Sequence, residues 1–312
     1  MEINMYIEGL EVIYFAYKPG RKFFVSLERM ARQILLPDAV TIYMTVEDDD
    51  PVLKRGAAAL TSLYGAEFED KVRKACTGIR KVNIEYVERS EFRHGGTRQK
   101  AMDSSGYERV LLMTQDAVPL NRKLTLELDR ALDNSDAATA YARQTAYPNA
   151  DTVERLYRQF NYPETSMSKN ASDIDKIGIK AFFCSDVCCM YKHDLFDRLG
   201  GFDVTLNFNE DSIFAYYALK SGYTVEYAAR AEVYHSHNES FKAKYLRSRQ
   251  LARSQKDHPE VFSNVSSAHE GMRFFTGTLK TLIKSGDIKG IFSLISNCAA
   301  KYLGYIAGKH VK

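Results

Sequence analysis

Residues 11–46 read EVIYFAYKPGRKFFVSLERMARQILLPDAVTIYMTV, and they decide the fold class. EVIYFAY (11–17) is an apolar run of strand length, and Lys18-Pro19-Gly20 closes it with turn chemistry. Phe24, Leu27, Met30 and Ile34 then recur at the three- and four-residue spacing of one helix face. VTIYMTV (40–46) is a second apolar strand and ends abruptly in Glu47-Asp48-Asp49-Asp50. A strand, helix, strand unit of this kind builds parallel sheets, which bind ligands beyond the carboxyl ends of their strands. The residues that follow each strand are therefore the first candidates for a site.

Working outward, residues 83–87 read as a third strand, 97–105 as a helix, and VLLM (110–113) as a fourth strand that runs into Thr114-Gln115-Asp116. A helix at 120–132 leads to a strand at 137–142, and 147–176 reads as an irregular insertion with one helix. An apolar, cysteine-rich run (181–191) precedes a short segment ending in a Gly-Gly turn at 201 and an amphipathic helix at 211–221, headed by Asn209-Glu210. Short strands at 225–227 and 231–234 lead into His235-Ser236-His237. Between 275 and 307 apolar residues recur at helical spacing, interrupted by Gly286 and Gly290, as two amphipathic helices would have them. The expected architecture is α/β, a mostly parallel central sheet flanked by helices, with a C-terminal helical extension.

At 312 residues and 45% hydrophobic content the chain can bury a sizeable core. Its 43 basic and 40 acidic residues nearly cancel, which argues against a nucleic-acid partner. The balance is uneven along the chain, because from Phe241 onward 13 Lys/Arg face 4 Asp/Glu. Five cysteines without framework spacing, and no signal-peptide pattern at the N-terminus, point to a reducing, cytoplasmic location. No run approaches the roughly 20 apolar residues a membrane span requires.

Asp116 stands directly after an apolar strand, where its carboxylate projects into the crevice and can hold a hard cation that bridges phosphate oxygens. Glu210-Asp211 at a helix head can set one carboxylate at a reaction centre while the other is tied to backbone or to a cation. His235 and His237 lie two apart on extended backbone, so both point to one face and one of them can complete a metal shell. Arg98, after His94-Gly95-Gly96, can reach a diphosphate. Each feature also has a bland reading: a turn residue, a helix cap, a hydrogen-bonded pair. A structural zinc site from Cys184, Cys188, Cys189 and His193 is a further alternative.

The motif Phe92-x-His94-Gly95-Gly96-Thr97-Arg98-Gln99-x-Ala101 is followed by LLMTQDAVP (111–119), ARQ (142–144), FNYPETS (160–166), GGFD (200–203), NED (209–211) and AEVYHSH (231–237). This ordered set, with AAKYLGYIAGK (299–309) in the tail, resembles glycosyltransferase family 2, in the rhamnosyltransferase-like branch that builds bacterial cell-surface polysaccharides. The resemblance implies a GT-A fold over 1–245, with a nucleotide-binding half to about 115 and an acceptor half over 116–245, ahead of a basic helical tail over 246–312. It implies transfer with inversion from a nucleotide sugar, dTDP-rhamnose by branch, onto a growing glycan or a polyprenyl-linked acceptor at the inner face of the plasma membrane.

By the same resemblance Asp116 holds Mg2+ or Mn2+ with His235 or His237, and Thr114 and Gln115 line the nucleotide sugar. Tyr17 and Glu47 cradle the nucleoside, Arg98 contacts the donor, Asp211 is the base and Glu210 orients the acceptor. Two departures stand out. The first two strands end in AYKPG and TVEDDD instead of the family's usual patterns, and its DxD motif is reduced to Gln-Asp, so weak ion binding is expected. The tail either packs on the domain, contacts a membrane surface or pairs with a second copy. The alternatives in function are a noncatalytic sugar-binding or scaffold protein on a degenerate fold, and a sugar nucleotidyltransferase, which would need a Gly-rich loop where AYKPGRKF stands.

Overall fold

Apolar strands buried on both faces form the centre of the molecule, and this is why their sequences run apolar rather than alternating. The computed structural model describes residues 5–54, 62–263, 265 and 267–310. In β1 (Met5–Tyr17), Val12, Tyr14 and Ala16 pack on one side of the sheet while Ile13 and Phe15 pack on the other. α1 (Arg21–Met30) returns the chain to β2 (Leu35–Val46), parallel to β1 with Tyr17 opposite Thr45. α2 (Ala66–Ala75) and β3 (Lys81–Glu88) add a further parallel strand beside β2. α3 (His94–Asp103) then crosses back to β4 (Arg109–Thr114), parallel to β1 on its other side. The order β3-β2-β1-β4 reverses between β1 and β4, and such a reversal opens a crevice at the carboxyl ends of the two strands.

The rest of the sheet is mixed. The chain continues through β5 (Val118–Pro119), α4 (Leu124–Leu132), β6 (Ala137–Thr145), α5 (Thr152–Asn161), β7 (Met167–Lys169) and α6 (Asp173–Ile177). It then forms β8 (Cys188–Lys192), α7 (His193–Arg198), α8 (Glu210–Lys220) and β9 (Thr224–Tyr234). β8 runs antiparallel between β4 and β6, β9 is parallel to β6, and β5 and β7 pair antiparallel with β9. The strands β1 to β4, β6 and β9 thus share one direction.

Several local expectations change. The strands at 225–227 and 231–234 are one strand, β9, because a register shift between Ala142 and Arg143 absorbs the intervening residues. The insertion at 147–176 carries two helices and a short strand rather than one helix. The cysteine-rich run, whose apolar sequence alone assigns no backbone type, divides into the strand Cys188–Lys192 and a loop in which Ala181, Phe182 and Cys184 are buried. An apolar run reports burial before it reports backbone type.

The C-terminal part holds α9 (Phe241–Asp257), α10 (Pro259–Phe262), α11 (Ser267–Ser285) and α12 (Ile288–His310). α9 has no clean apolar period, and the boundary expected near residue 245 falls inside it. Gly286 turns the corner between α11 and α12 with φ +67°, whereas Gly290 lies within α12 and packs on Leu282. α12 lies tightly along α9: a Cβ at Gly304 or Gly308 would stand 2.3 Å from the carbonyl oxygen of Tyr245 or Arg249. On its other flank the tail packs on α5, where Val153 and Tyr157 meet Phe274, Leu282 and Leu294. No helix of the described residues is long and apolar enough to cross a membrane.

Candidate active site

The crevice opens into a cavity of about 880 Å3 whose lining includes Tyr17, Thr114, Gln115, Asp116, Asp211, His235 and His237. The two carboxylates that the sequence singles out, Asp116 and Asp211, therefore share one cavity although 95 positions separate them in the numbering.

Asp116 follows β4 and meets the end of β9. Its carboxylate lies 3.6 Å from His235 Nε2 and 3.5 Å from His237 Nδ1. One ligand atom from each of the three falls within 4.8 Å of the others, a group unique among the described residues. Ligands at adjacent positions around an ion with ~2.1 Å bonds stand about 3 Å apart, so the spacing fits a divalent cation. The protonation states fit as well. His235 Nδ1 donates to Gln144 Oε1 at 2.8 Å, which leaves the Nε2 lone pair facing Asp116. Burial, then the charge of Arg158, holds His235 well below the usual histidine range, and burial lowers His237 too, so both imidazoles are neutral donors. Gln144 is itself fixed by Arg158 and by Ser185, which gives the ARQ motif its physical role.

Thr114 and Gln115 behave differently from each other. The Thr114 hydroxyl is buried at the cavity and has no hydrogen-bond partner among the described residues. Gln115 closes an amide pair on the end of β1, accepting from Tyr17 N at 3.1 Å and donating to Tyr17 O at 2.9 Å. It anchors one strand end to the next at the edge of the cavity that it also lines. At the far end, the Tyr17 hydroxyl donates to Glu47 at 2.8 Å, and Lys18 and Arg89 close on the same carboxylate at 2.8 and 3.0 Å. Lys18, then Arg89 and Tyr17, hold Glu47 at about 2. Glu47 lies outside the cavity lining and buttresses Tyr17 and Arg89, which do line it.

The acidic end is built on the head of α8. Asp211 accepts from Asp186 N at 3.2 Å and from Ser212 N at 2.7 Å, and it remains partly exposed. Glu210 is 5% exposed and bonds Arg98 at 2.9 Å. Arg98, expected to contact the donor, is buried; its Nε faces Asp186 at 3.1 Å and its NH1 donates to His94 Nδ1 at 2.7 Å. It orders the acidic residues while still lining the cavity. Burial raises Asp186, Glu210 and Asp211 above the usual carboxylate range while Arg98 pulls all three down, and Glu210 comes to about 7.

Sequence reasoning passed over Asp186, Arg89 and Gln144. Asp186 carried a signal, since a lone carboxylate inside the apolar run 181–191 must find a buried partner. The zinc alternative fails. Cys184 and Cys189 lie 3.3 Å apart in one core cluster, Cys188 belongs to the core on the other side of the sheet, and His193 Nδ1 bonds Tyr107 O.

No family model matches the chain. It is 32% identical over 230 residues to the O-antigen chain rhamnosyltransferase WbaN of Salmonella anatum, covering 73% of each chain. The chain belongs to this family of O-antigen rhamnosyltransferases. A second relative, the O-antigen chain rhamnosyltransferase RfbN of Salmonella typhimurium, is 28% identical over 244 residues, 78% of this chain and 77% of its own. The fold of this glycosyltransferase is shared with solved structures. The mannosyltransferase PcManGT from Pyrobaculum calidifontis, in complex with GDP-Man and Mn2+, matches 96% of this chain and 86% of its own at 12% identity with a TM-score of 0.62. S. aureus TarS 1-349 in complex with UDP-GlcNAc matches 98% and 93% at 13% identity, TM-score 0.53. This glycosyltransferase therefore has a GT-A-like α/β fold, and the resemblance drawn from its motifs holds.

Proposed function

We propose that this glycosyltransferase is inverting and metal-dependent, and that it moves L-rhamnose from dTDP-rhamnose onto a growing cell-surface polysaccharide or lipid-linked glycan. The observation that carries this reading is the shared cavity, with the Asp116–His235–His237 group on one part of its lining and Asp211 on another. Asp211 takes the proton of an acceptor hydroxyl, and that oxygen attacks the anomeric carbon on the face opposite the diphosphate. The nucleoside diphosphate leaves toward Asp116. A divalent ion bound by Asp116, His235 and His237 would supply positive charge to that leaving group. Two imidazoles and one carboxylate suit Mn2+ better than Mg2+, which prefers oxygen ligands. Tyr17 and Arg89 offer an aromatic face and a cation for the nucleoside end, and Glu210, held by Arg98, stands beside the base.

The donor sugar follows the relatives, both rhamnosyltransferases by name. The test is transfer from dTDP-rhamnose by purified protein in Mn2+. Asp211→Asn is expected to lose at least about 100-fold in rate while Mn2+-supported dTDP binding persists. An unchanged rate would remove Asp211 as the base.

We further propose that the tail holds the protein at the inner membrane face. Ile288, Phe292, Ile295, Leu303 and Ile306 form one stripe along α12, left open by the packing on α9 and α5; Phe292 is 70% exposed. Lys280, Lys284 and Lys289 stand exposed near its start, and an apolar stripe beside cations suits anionic lipid headgroups. Flotation with phosphatidylserine liposomes is expected for the full chain and lost in Phe292→Glu/Leu303→Glu. Equal flotation, or a dimer by light scattering that the double substitution dissolves, would refute the lipid assignment.

A further inference from the structure

We infer that the C-terminal helices supply an anion-binding wall of the catalytic cavity, made by Lys244 and Arg247 of α9 and Lys301 of α12, and that its ligand is a diphosphate. All three residues line the cavity that holds Asp116 and Asp211. Lys244 and Arg247 are three apart on one helix face, and Lys301 joins them because Ser248 Oγ donates to Lys301 O at 2.6 Å across the α9–α12 contact.

The charges around the cavity are unevenly matched. Arg98 is neutralised by Asp186 and Glu210, and Arg158 by Glu154 at 2.8 Å. Among the described residues, Lys244 and Lys301 have no carboxylate partner. Lys244 Nζ donates to the neutral amide of Asn297 at 2.6 Å, and Lys301 Nζ sits 3.8 Å from the centroid of the Tyr157 ring on α5. Arg247 reaches Glu239 at 3.3 Å with its side chain 47% exposed. Arg247 lines the same cavity as His94, His235 and His237. Three cations from two helices, two of them unmatched, suit a ligand with two linked phosphates better than a single carboxylate.

The inference rests on the glycosyltransferase reading for the source of the ligand. The diphosphate belongs either to the nucleotide donor or to a diphosphate-linked acceptor. The full chain is titrated with inorganic pyrophosphate in EDTA by calorimetry, beside Arg247→Ala, Arg247→Lys, Lys301→Ala and Asp116→Asn, each checked by thermal melting. Pyrophosphate is expected to bind the parent protein, to bind Arg247→Ala and Lys301→Ala at least about tenfold more weakly, and to recover partly in Arg247→Lys. Asp116→Asn should leave this metal-free binding intact, so failure of the metal assignment and failure of the wall read out separately. Repeating the titration with dTDP, UDP and GDP in Mn2+ separates the sources. A parallel loss in Arg247→Ala places the donor diphosphate on the wall, and an unchanged nucleotide affinity places the acceptor there. No pyrophosphate binding by the parent protein, or equal affinity in the folded variants, overturns the inference.

Discussion

Replacing Gly95 by alanine adds one methyl group, and the surroundings make that addition costly. Gly95 is the second residue of α3, so its backbone is helical and an alanine there would ordinarily be favoured by up to about 1 kcal/mol. The new Cβ, however, would lie 2.1 Å from Asp203 O and 3.2 Å from Leu206 O, while Gly95 N already donates to Leu206 O at 2.9 Å. A carbon–oxygen contact normally holds near 3.3 Å, so one backbone must give by about 1 Å. Neither obstacle is a side chain that can rotate away. Overpacking of this kind costs roughly 1–3 kcal/mol, which outweighs the gain in helix propensity. The segment that yields, 203–206, leads directly into Glu210 and Asp211 at the head of α8. A misplacement of about 1 Å at a reacting group costs on the order of 100-fold in rate. Gly95→Ala is therefore expected to melt several degrees lower by scanning calorimetry and to transfer sugar about 100-fold more slowly. Gly277→Ala is the control, since nothing lies within 4 Å of a Cβ added there in α11. Matching melting temperatures and rates in the two variants would refute the packing account of the His-Gly-Gly motif.

Transfer should fall on the acid side at a pH above the ordinary carboxylate range, because burial raises Asp211 and its neighbours; Arg98→Gln removes a cation that lowers them and should move that limb higher, as a pH–rate profile would show. Glu210 holds its proton to about 7 in the folded chain, so the folded state binds more protons than the unfolded one from the ordinary glutamate value up to that pH. Stability should decline as pH rises through this window, and Glu210→Gln should flatten the slope seen by melting. Gln144→Leu frees the ring of His235 and should raise the Mn2+ concentration for half-maximal rate by roughly 10–100-fold at unchanged fold. Gly308→Leu would set a side chain 2.3 Å from Arg249 O and should loosen α12 from α9, read as faster limited proteolysis of the tail.

The parallel unit at the N-terminus was legible because both faces of β1 and β2 are buried, which turns each strand into an apolar run ending in polar residues at the crevice. Asp116, Asp211 and the two histidines were legible for the same reason: each lies at or just beyond the end of a sheet strand or at the head of a helix. The partners of those residues were not. Arg98 follows a glycine pair and looks free to reach a phosphate, yet pairing with Asp186 and Glu210 depends on contacts across 88 and 112 positions of chain. Gln115 occupies the place of a metal-binding acid, and only the pairing of β1 with β4 shows that its amide secures a strand end. α9 escaped notice because its buried face is made by glycine contacts from α12 and by polar residues at the cavity, so it has no apolar period to detect.

The two proposals for the tail meet in a single helix. At 100° per residue, Ile288, Phe292, Ile295, Leu303 and Ile306 fall within one sector of α12, and Asn297, Lys301, Gly304 and Gly308 fall on the opposite one. The glycines admit the backbone of α9 and so carry Lys301 to the cavity; larger residues there would lift the cation away from Tyr157. A membrane that engaged the outer stripe would therefore fix the inner face, and with it the wall of Lys244, Arg247 and Lys301, at a set height above the lipid surface. Because the wall lies on the side of α12 away from the stripe, an acceptor anchored at that surface would have to present its diphosphate about one helix width, roughly 10 Å, above it. Separate loss of flotation in Phe292→Glu/Leu303→Glu and of pyrophosphate binding in Lys301→Ala, with activity on a lipid-linked acceptor falling in both, is the pattern this arrangement requires.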